Sequence, residues 1–404
     1  MSTKVTIILP VYNVEPYLRH CLDSVVNQTM RDIQIICVND GSTDGSRAIL
    51  QEYAEQDSRI EIIDQENQGG GSARNAAYPY IRGKYTYFAD PDDWLELDLC
   101  QQCVEKAEAT EADFVTLRHV EYNPDPQCSR PFDHTLPEIR QSLEEKYEIF
   151  QYLATWKNFW RSDFLLSNNI RFSEGKRPYN DVLPSWKGTV LADRIAILDN
   201  PLYHYRRIRL GSYQQATNEK QLVIVETFAD IENMLHEAGL HIAYREIFIA
   251  NKLENLHYRY GLLPAYLKPK FLHCVRQHWT KADREFCRDI LPSHPDKNLR
   301  AFYLSQGFGG QLGMQMYHAE LIKEFNTEQS CLLSEIARLQ SEILRTQSEM
   351  VRTQSEMLRL QKEGNKNTRF HYNKYRLLSN LTWGKLREKY LAKKRAIKNA
   401  LGIE

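Results

Sequence analysis

The chain has 404 residues, of which 42% are hydrophobic and 26% are charged, as in an ordinary globular protein with a buried core. Lysine and arginine number 52 against 53 aspartate and glutamate residues, so the net charge of −1 predicts no particular partner, and no nucleic acid is expected to bind. No segment approaches the roughly 18 apolar residues of a membrane span, no signal peptide is recognised, and the eight cysteines are scattered, which favours reduced thiols in a cytoplasmic protein.

The first 90 residues alternate strand and helix patterns. Apolar runs predict strands at 5–9, 33–38, 60–63 and 85–89, and apolar residues at helical spacing predict helices at 17–26, 46–56 and 72–80 between them. This alternation indicates an α/β fold with a mostly parallel sheet. Three of the four strands end in polar, acidic or glycine-rich loops, and ligands bind at the carboxyl ends of such strands. We therefore expect the functional site at that edge.

Further along, the pattern predicts a helix at 95–109, a strand at 113–120, a proline-rich loop at 123–137 and mixed structure to about 215. Cys100 and Cys103 form a lone CxxC, which we interpret as two neighbours on a helix because no second pair completes a zinc site. From about 220 to 320, apolar residues at helical spacing predict a helical region.

Residues 338–362 contain a seven-residue repeat, RLQSEIL, RTQSEMV, RTQSEML and RLQK. Isoleucine or methionine falls at every position a, which predicts a coiled coil over 326–363 and hence a homo-oligomer; a single solvated helix is the alternative. The tail at 364–404 is basic, with eleven lysines or arginines and two acids from position 365 onward. Its amphipathic pattern favours peripheral contact with an anionic membrane, and packing on the partner chain of the coiled coil is the alternative.

The strongest chemical signal is the run YFADPDDW at Tyr87–Trp94, directly after the fourth predicted strand. Carboxylates at Asp90 and Asp92 can face one ion together, and hard divalent cations prefer carboxylate oxygens. The alternative is an acidic turn that caps a helix starting near Trp94, since aspartate is a favoured capping residue.

Four motifs occur in a fixed order: VTIILPVYN at 5–13, NDGSTDG at 39–45, NQGGGSARN at 67–75 and YFADPDDW at 87–94. With these motifs the chain resembles the inverting bacterial glycosyltransferases of family 2, which have the GT-A fold. The resemblance implies an α/β catalytic domain with a mostly parallel central sheet at 1–215, followed by the helical region at 216–325, the coiled coil and the tail.

The resemblance also assigns the nucleotide-sugar donor to particular side chains. In the family, the loop after the first strand lies against the nucleotide, and it is matched here by Pro10, Tyr12 and Asn13. Asp40 matches an acid that accepts a hydrogen bond from the uracil ring. The glycine loop and its helix, where an arginine meets the nucleotide, are matched by Gly69, Arg74 and Asn75.

The metal-binding motif of the family is matched by Asp90 and Asp92, with Asp92 as the direct ligand of Mn²⁺ or Mg²⁺, and Asp93 and Trp94 complete it near the sugar. Asp181 matches the catalytic base, although Asn180 stands where the family usually has glutamate. In another departure, Asn158 stands near a position where the family often has lysine. A surface or capping acid is the alternative interpretation of Asp181.

Arg206 matches a closing segment over the donor and would contact the diphosphate; alternatively, Arg206 and its neighbouring arginines only solvate a strand end. The resemblance thus implies inverting transfer from a UDP-sugar to a glycan or lipid-linked acceptor during assembly of a cell-surface polysaccharide, by an enzyme in the cytoplasm or on the inner face of the membrane. The alternative is a non-catalytic coiled-coil scaffold or sugar-nucleotide-binding protein with a degenerate domain. A dinucleotide oxidoreductase is excluded, because PVYN stands where G-x-G-x-x-G is required.

Overall fold

The computed structural model describes residues 3–122, 130–131, 139–140, 146, 149–150, 154–206, 219–291, 296–306 and 308, and scattered positions between 330 and 359. The chain divides into two compact units, Met1–Phe302 and Tyr303–Glu404. The boundaries of the four predicted segments remain predictions. Most of the heptad segment and the whole of the basic tail lie outside the described residues.

The described part of the first unit is built on one sheet. Its strands are β1 Val5–Val11, β2 Ile33–Asp40, β3 Ile60–Gln65, β4 Tyr85–Phe88, β5 Trp94–Leu95, β6 Phe114–Tyr122, β7 Arg130–Pro131, β8 Ile139–Arg140, β9 Asn158–Arg161 and β10 Ile195–Arg206. Their order is β3-β2-β1-β4-β9-β6-β10-β5, with β7 beside β6 and β8 beside β10. Strands β3, β2, β1 and β4 are mutually parallel, β6 and β10 are parallel, and β9 runs antiparallel between β4 and β6.

Helices cover the sheet and continue beyond it. They are α1 Glu15–Val26, α2 Ser46–Gln56, α3 Gly70–Ala76, α4 Leu99–Thr110, α5 Ser162–Ser167, α6 Val182–Leu191, α7 Val223–Glu237, α8 Arg245–Leu262, α9 Lys268–Gln277, α10 Lys281–Asp289 and α11 Lys297–Ser305. Short 3₁₀ turns occupy Tyr78–Tyr80, Thr155–Lys157, Glu219–Leu222 and Ala265–Leu267.

Alternate residues of the central strands enter two apolar clusters, because successive side chains of a strand point to opposite faces. Ile7 and Leu9 of β1 pack with residues of α1 and α4 in one cluster, whereas Ile8 packs with residues of α3 and α5 in the other. Burial on both faces explains why these strands are continuous apolar runs rather than alternating ones.

The elements predicted from the first 90 residues are all present, and helix α2 has the predicted bounds. The predicted helix at 95–109 begins too early: Trp94–Leu95 is a strand, antiparallel to Tyr203 and His204 of β10, and α4 starts at Leu99. The alternative of an acidic turn that caps a helix starting near Trp94 is therefore wrong. Cys100 and Cys103 are buried neighbours on α4, as expected, and the six described cysteines are free.

The helical region is confirmed from α7 to α11 within the described residues. The described positions between 330 and 359 are helical, but the residues assigned to the apolar seam lie outside the described set, so the coiled coil stays a prediction. No described helix combines the length and the apolar character needed to cross a membrane.

Candidate active site

The loops that carry the predicted site residues meet at the carboxyl edge of the parallel strands, as predicted. Asp40 ends β2, the carboxylate run follows β4, and Arg206 ends β10. The register pairs Arg206 with Tyr122 at the end of β6, and His204 with Trp94 of β5. Residues separated by more than 100 positions in the chain are thereby brought to one edge.

The three carboxylates form a compact cluster: one oxygen from each of Asp90, Asp92 and Asp93 lies within 4.8 Å of the others. Asp93 is 2% exposed and accepts hydrogen bonds on both oxygens, from the Tyr203 hydroxyl at 2.6 Å and from the Arg206 backbone N–H at 2.7 Å. Burial and the charges of Asp92 and Asp90 raise the pKa of the Asp93 carboxyl well above its usual value. Asp93 therefore supports the cluster from inside, and Asp90 and Asp92 form its outer part.

This donor set suits a hard divalent cation. Oxygen ligands on a strand-end turn match the preference of Mg²⁺ and Mn²⁺, and a cation would relieve the repulsion among three carboxylates packed so closely. Asp92 and Asp90 are the residues that would hold it. In the structure Asp90 also accepts a hydrogen bond from the Arg74 guanidinium at 2.5 Å.

Arg74 connects the carboxylate cluster to the loop that carries Asp181. It is 8% exposed; its second terminal nitrogen donates to Asn180 Oδ1 at 3.2 Å, and its guanidinium lies 5.2 Å from the centre of the Phe172 ring. Asn180, the departure from the family pattern, therefore gives Arg74 a neutral acceptor where a glutamate would give a second carboxylate.

Asp181 is the residue before α6, but its side chain makes no capping hydrogen bond to that helix. The capping interpretation of Asp181 is therefore wrong. Burial is the largest influence on its carboxyl and raises its pKa, with a further contribution from the charge of Asp90; the charge of Arg74 and the Thr155 backbone N–H act in the opposite direction. A partly buried carboxylate with a raised pKa fits the requirements for proton transfer near neutral pH.

The glycine loop fits closely against the segment before Asp181. Gly69 has φ 94°, and a Cβ atom there would meet the carbonyl oxygen of Gly175; a Cβ on Gly71 would likewise meet the carbonyl oxygen of Ser173. Asp40 holds this loop, because its carboxylate accepts hydrogen bonds at 2.8 Å from the backbone N–H groups of Gln68 and Gly69 and from the Gln65 side chain.

Of the other predicted donor-binding residues, Tyr12 is 45% exposed on the loop after β1, and Pro10 is buried within β1. Asn13 has φ 48°, a conformation that asparagine tolerates, and exchanges hydrogen bonds with Thr43 in the loop after β2. Asn75 bonds both the N–H and the C=O of Phe172, at 3.0 and 2.9 Å, so in the structure it ties α3 to the base segment.

Arg206 does not simply solvate a strand end. Its guanidinium lies 5.1 Å from the ring centre of Tyr17, 5.0 Å from that of Trp94 and 5.6 Å from that of Tyr122, and its Nε donates to the Asp92 carbonyl at 3.0 Å. Trp94 itself is stacked between two histidine rings, with centroid distances of 4.7 Å to His20 and 4.8 Å to His204. The cation–π contacts hold Arg206 directly above the carboxylate loop.

A further group of side chains reaches Asp93 from the 3₁₀ turn Thr155–Lys157. Trp156 stacks on Tyr203 at 4.4 Å, and Tyr203 donates to Asp93. Burial lowers the pKa of Lys157 to about 7, and burial together with the charge of Lys157 lowers the pKa of His119 to about 3. The lysine next to Asn158 was visible in the sequence, but its burial depends on the pairing of β6 with β9 and β10.

Comparison with known proteins agrees with this site. The family described as "Glycosyl transferase family 2" matches residues 6–164. The "Putative glycosyltransferase EpsH" of Bacillus subtilis (strain 168) is 34% identical over 248 residues, which are 58% of this chain and 71% of that protein. The chain belongs to glycosyl transferase family 2.

This family 2 chain is also similar to "Glycosyltransferase GlyA" of Streptococcus pneumoniae serotype 4, with 34% identity over 273 residues that are 62% of this chain. The chain spans 38% of the length of GlyA. Among solved structures, Staphylococcus aureus TarS 1–349 in complex with UDP-GlcNAc matches with a TM-score of 0.50 and 18% identity, over 70% of this chain and 91% of that one. At 18% sequence identity, this structural similarity shows the fold, which is α/β and GT-A-like.

The chain therefore contains a glycosyl transferase family 2 domain with a GT-A-like fold, and it has bacterial relatives.

Proposed function

We propose that the chain transfers a hexosyl or N-acetylhexosaminyl group from a UDP-sugar to a hydroxyl of a glycan or lipid-linked acceptor, with inversion and with Mn²⁺ or Mg²⁺. One observation carries this proposal: Arg74 hydrogen-bonds both Asp90 in the carboxylate cluster and Asn180 beside Asp181. An inverting transfer needs a site for the leaving diphosphate and a base for the acceptor hydroxyl close to each other.

Asp92 and Asp90 would hold the cation, which when bound offsets the negative charge on the departing diphosphate. Arg74 and Arg206 are the guanidinium groups placed to bind phosphate oxygens, for which their planar geometry is suited. Asp93 acts indirectly, since its oxygens accept from Tyr203 and from the Arg206 backbone.

Asp181 would take the proton from the acceptor hydroxyl as that oxygen attacks the anomeric carbon. Its raised pKa favours this role, because a base with a pKa closer to the working pH accepts a proton more readily. Pro10, Tyr12, Asn13 and Asp40 would line the nucleotide, and Trp94 would lie near the sugar. Asp40 is 2% exposed and accepts three hydrogen bonds, of the about four that an ionised carboxylate can accept, and the uracil N–H would take the remaining acceptor site.

The choice of a UDP donor is supported by the S. aureus relative, which is described in complex with UDP-GlcNAc. Other relatives are named as enzymes that glycosylate poly(ribitol-phosphate) or make chondroitin, which supports a role in a bacterial surface polymer. The alternative of a non-catalytic scaffold predicts no turnover with any nucleotide sugar.

We also propose that the heptads at 326–363 make a homo-oligomer and that the basic tail at 364–404 contacts anionic membrane on the cytoplasmic side, where a lipid-linked acceptor would lie. Light scattering tests the first proposal, and a monomer at micromolar concentration contradicts it. Sedimentation with anionic liposomes tests the second, and a chain lacking 365–404 that binds as well as the whole chain contradicts it.

The reaction itself is tested by measuring UDP release from a panel of UDP-sugars with and without Mn²⁺. We expect one or two sugars to support release that a chelator abolishes. Asp181→Asn should abolish turnover while leaving UDP affinity within about twofold, because the base contacts the acceptor side. NMR of the product at the new linkage reports whether the anomeric configuration is inverted. Normal turnover by Asp181→Asn contradicts the assignment of the base.

A further inference from the structure

Two residues before Asp181, the backbone adopts a conformation that is costly for an aromatic residue. Tyr179 has φ 62°, in the left-handed region. For a residue with a Cβ atom this conformation is unfavourable, and it persists only where the surroundings impose it. Such positions cluster at functional sites, so the contacts that hold Tyr179 are informative.

The Tyr179 side chain is held by the helical region. Its hydroxyl donates a short hydrogen bond to Gln221 Oε1, and Gln221 is 1% exposed in the 3₁₀ turn before α7. The Arg259 guanidinium of α8 lies 4.7 Å from the centre of the Tyr179 ring. One side chain thus reaches from the catalytic domain to two elements of the helical region.

A second connection runs from the same loop, but it is weaker. Arg177 lies 3.4 Å from Glu226 and 3.3 Å from Asp230, both on α7, and all three side chains are at least one-third exposed. Exposed ion pairs of this kind contribute little. Among the described contacts on this side of the loop, the partly buried Tyr179–Gln221 bond is therefore the stronger one.

The opposite side of the loop rests on the glycine loop and α3. Ser72 accepts a hydrogen bond from the Gly175 backbone N–H at 3.0 Å, and Arg74 donates to Asn180 at 3.2 Å. The segment leading to Asp181 is consequently fixed between the donor-side loop and the helical region.

We propose that Tyr179, with Gln221 and Arg259, is a positioning device by which the helical region sets the location of the base Asp181; this rests on the proposed function. Proton transfer requires the base within hydrogen-bonding reach of the acceptor hydroxyl, and a displacement of about 1 Å can cost up to about a hundredfold in rate. In this view the helical region influences catalysis through the position of Asp181.

The test compares Tyr179→Phe, Gln221→Met and the double variant in the full chain, with Tyr266→Phe at a 76% exposed tyrosine as the control. The assay is UDP release in Mn²⁺ from the UDP-sugar that the wild-type chain turns over fastest. We expect each single variant to lower kcat about tenfold, with the donor KM and the UDP affinity within about twofold of wild type. The double variant should lower kcat by less than the product of the two single effects, because both substitutions remove the same bond.

Tyr179→Gly supplies a second criterion. Glycine adopts φ 62° without strain, so this variant keeps the backbone conformation accessible and removes both anchors. We expect kcat to fall at least as far as in Tyr179→Phe, whereas a role limited to local strain predicts an unchanged or higher kcat. Wild-type kcat in both Tyr179 variants would overturn the proposed role of Tyr179, and so would multiplying effects of the two substitutions in the double variant. If Asp181→Asn is inactive at the same time, the assignment of the base still holds. An active Asp181→Asn would overturn the base assignment and the inference with it.

Discussion

Replacing Gly71 by alanine tests how closely the glycine loop fits against the base segment. Gly71 is in helix α3 and Gly261 is in helix α8, so alanine at either position gains helix propensity of up to about 1 kcal/mol. The surroundings differ: a Cβ at Gly71 would meet the Ser173 carbonyl oxygen, whereas at Gly261 nothing lies within 4 Å. The obstacle at Gly71 is backbone, which cannot rotate aside as a side chain does.

Overpacking of this kind costs about 1–3 kcal/mol, which exceeds the propensity gain. We therefore expect Gly71→Ala to lower the Tm, by roughly 2–4 °C for each kcal/mol of net cost in a domain of this size class, and Gly261→Ala to leave it unchanged or raise it. Thermal melts followed by circular dichroism measure both shifts, and UDP release reports the accompanying loss of turnover in Gly71→Ala alone. Equal upward shifts in the two variants would refute the close approach.

Tyr203→Phe leaves buried Asp93 without its hydroxyl donor and should lower the free energy of unfolding by about 1–3 kcal/mol. Urea titrations measure this difference, and an unchanged free energy of unfolding contradicts it. Because burial raises the pKa of Asp181 and the base must be ionised, the acidic limb of the kcat–pH profile should lie above the usual pKa of about 4. Arg74 lowers that pKa, so Arg74→Gln should move the limb to higher pH, and a shift to lower pH contradicts this. Burial lowers the pKa of Lys157 to about 7, so the unfolded chain binds more protons above pH 7 and stability should rise between about pH 7 and 10. Lys157→Met should abolish that rise in urea titrations at pH 7 and 9.

The strand ends and the carboxylate cluster could be predicted from the sequence, because both depend on local patterns. Apolar runs mark the parallel strands, and the rule that ligands lie at their carboxyl ends places Asp40 and Asp90 at one edge. The motif order then identified the family, and the comparisons confirmed it.

What could not be predicted depends on pairing between distant parts of the chain. Trp94–Leu95 is a strand only because β10 supplies its partner, and two residues carry no periodicity. The same pairing places Tyr203 against Asp93 and Arg206 over Trp94. Likewise, nothing in the sequence around Gln221 indicates that its amide meets Tyr179, since the contact follows from the packing of the helical region.

The central claim is that Asp90 and Asp92 hold a divalent cation that supports nucleotide binding at this edge of the sheet. Calorimetric titration measures the UDP affinity directly. It is done for the full wild-type chain in Mn²⁺ and in a chelator, and for Asp92→Asn in Mn²⁺. If Asp90 and Asp92 hold the cation, the wild-type chain should bind UDP measurably in Mn²⁺. The affinity should fall at least tenfold in the chelator, and by as much in Asp92→Asn. Equal affinity in all three conditions, or no affinity in any, contradicts the account.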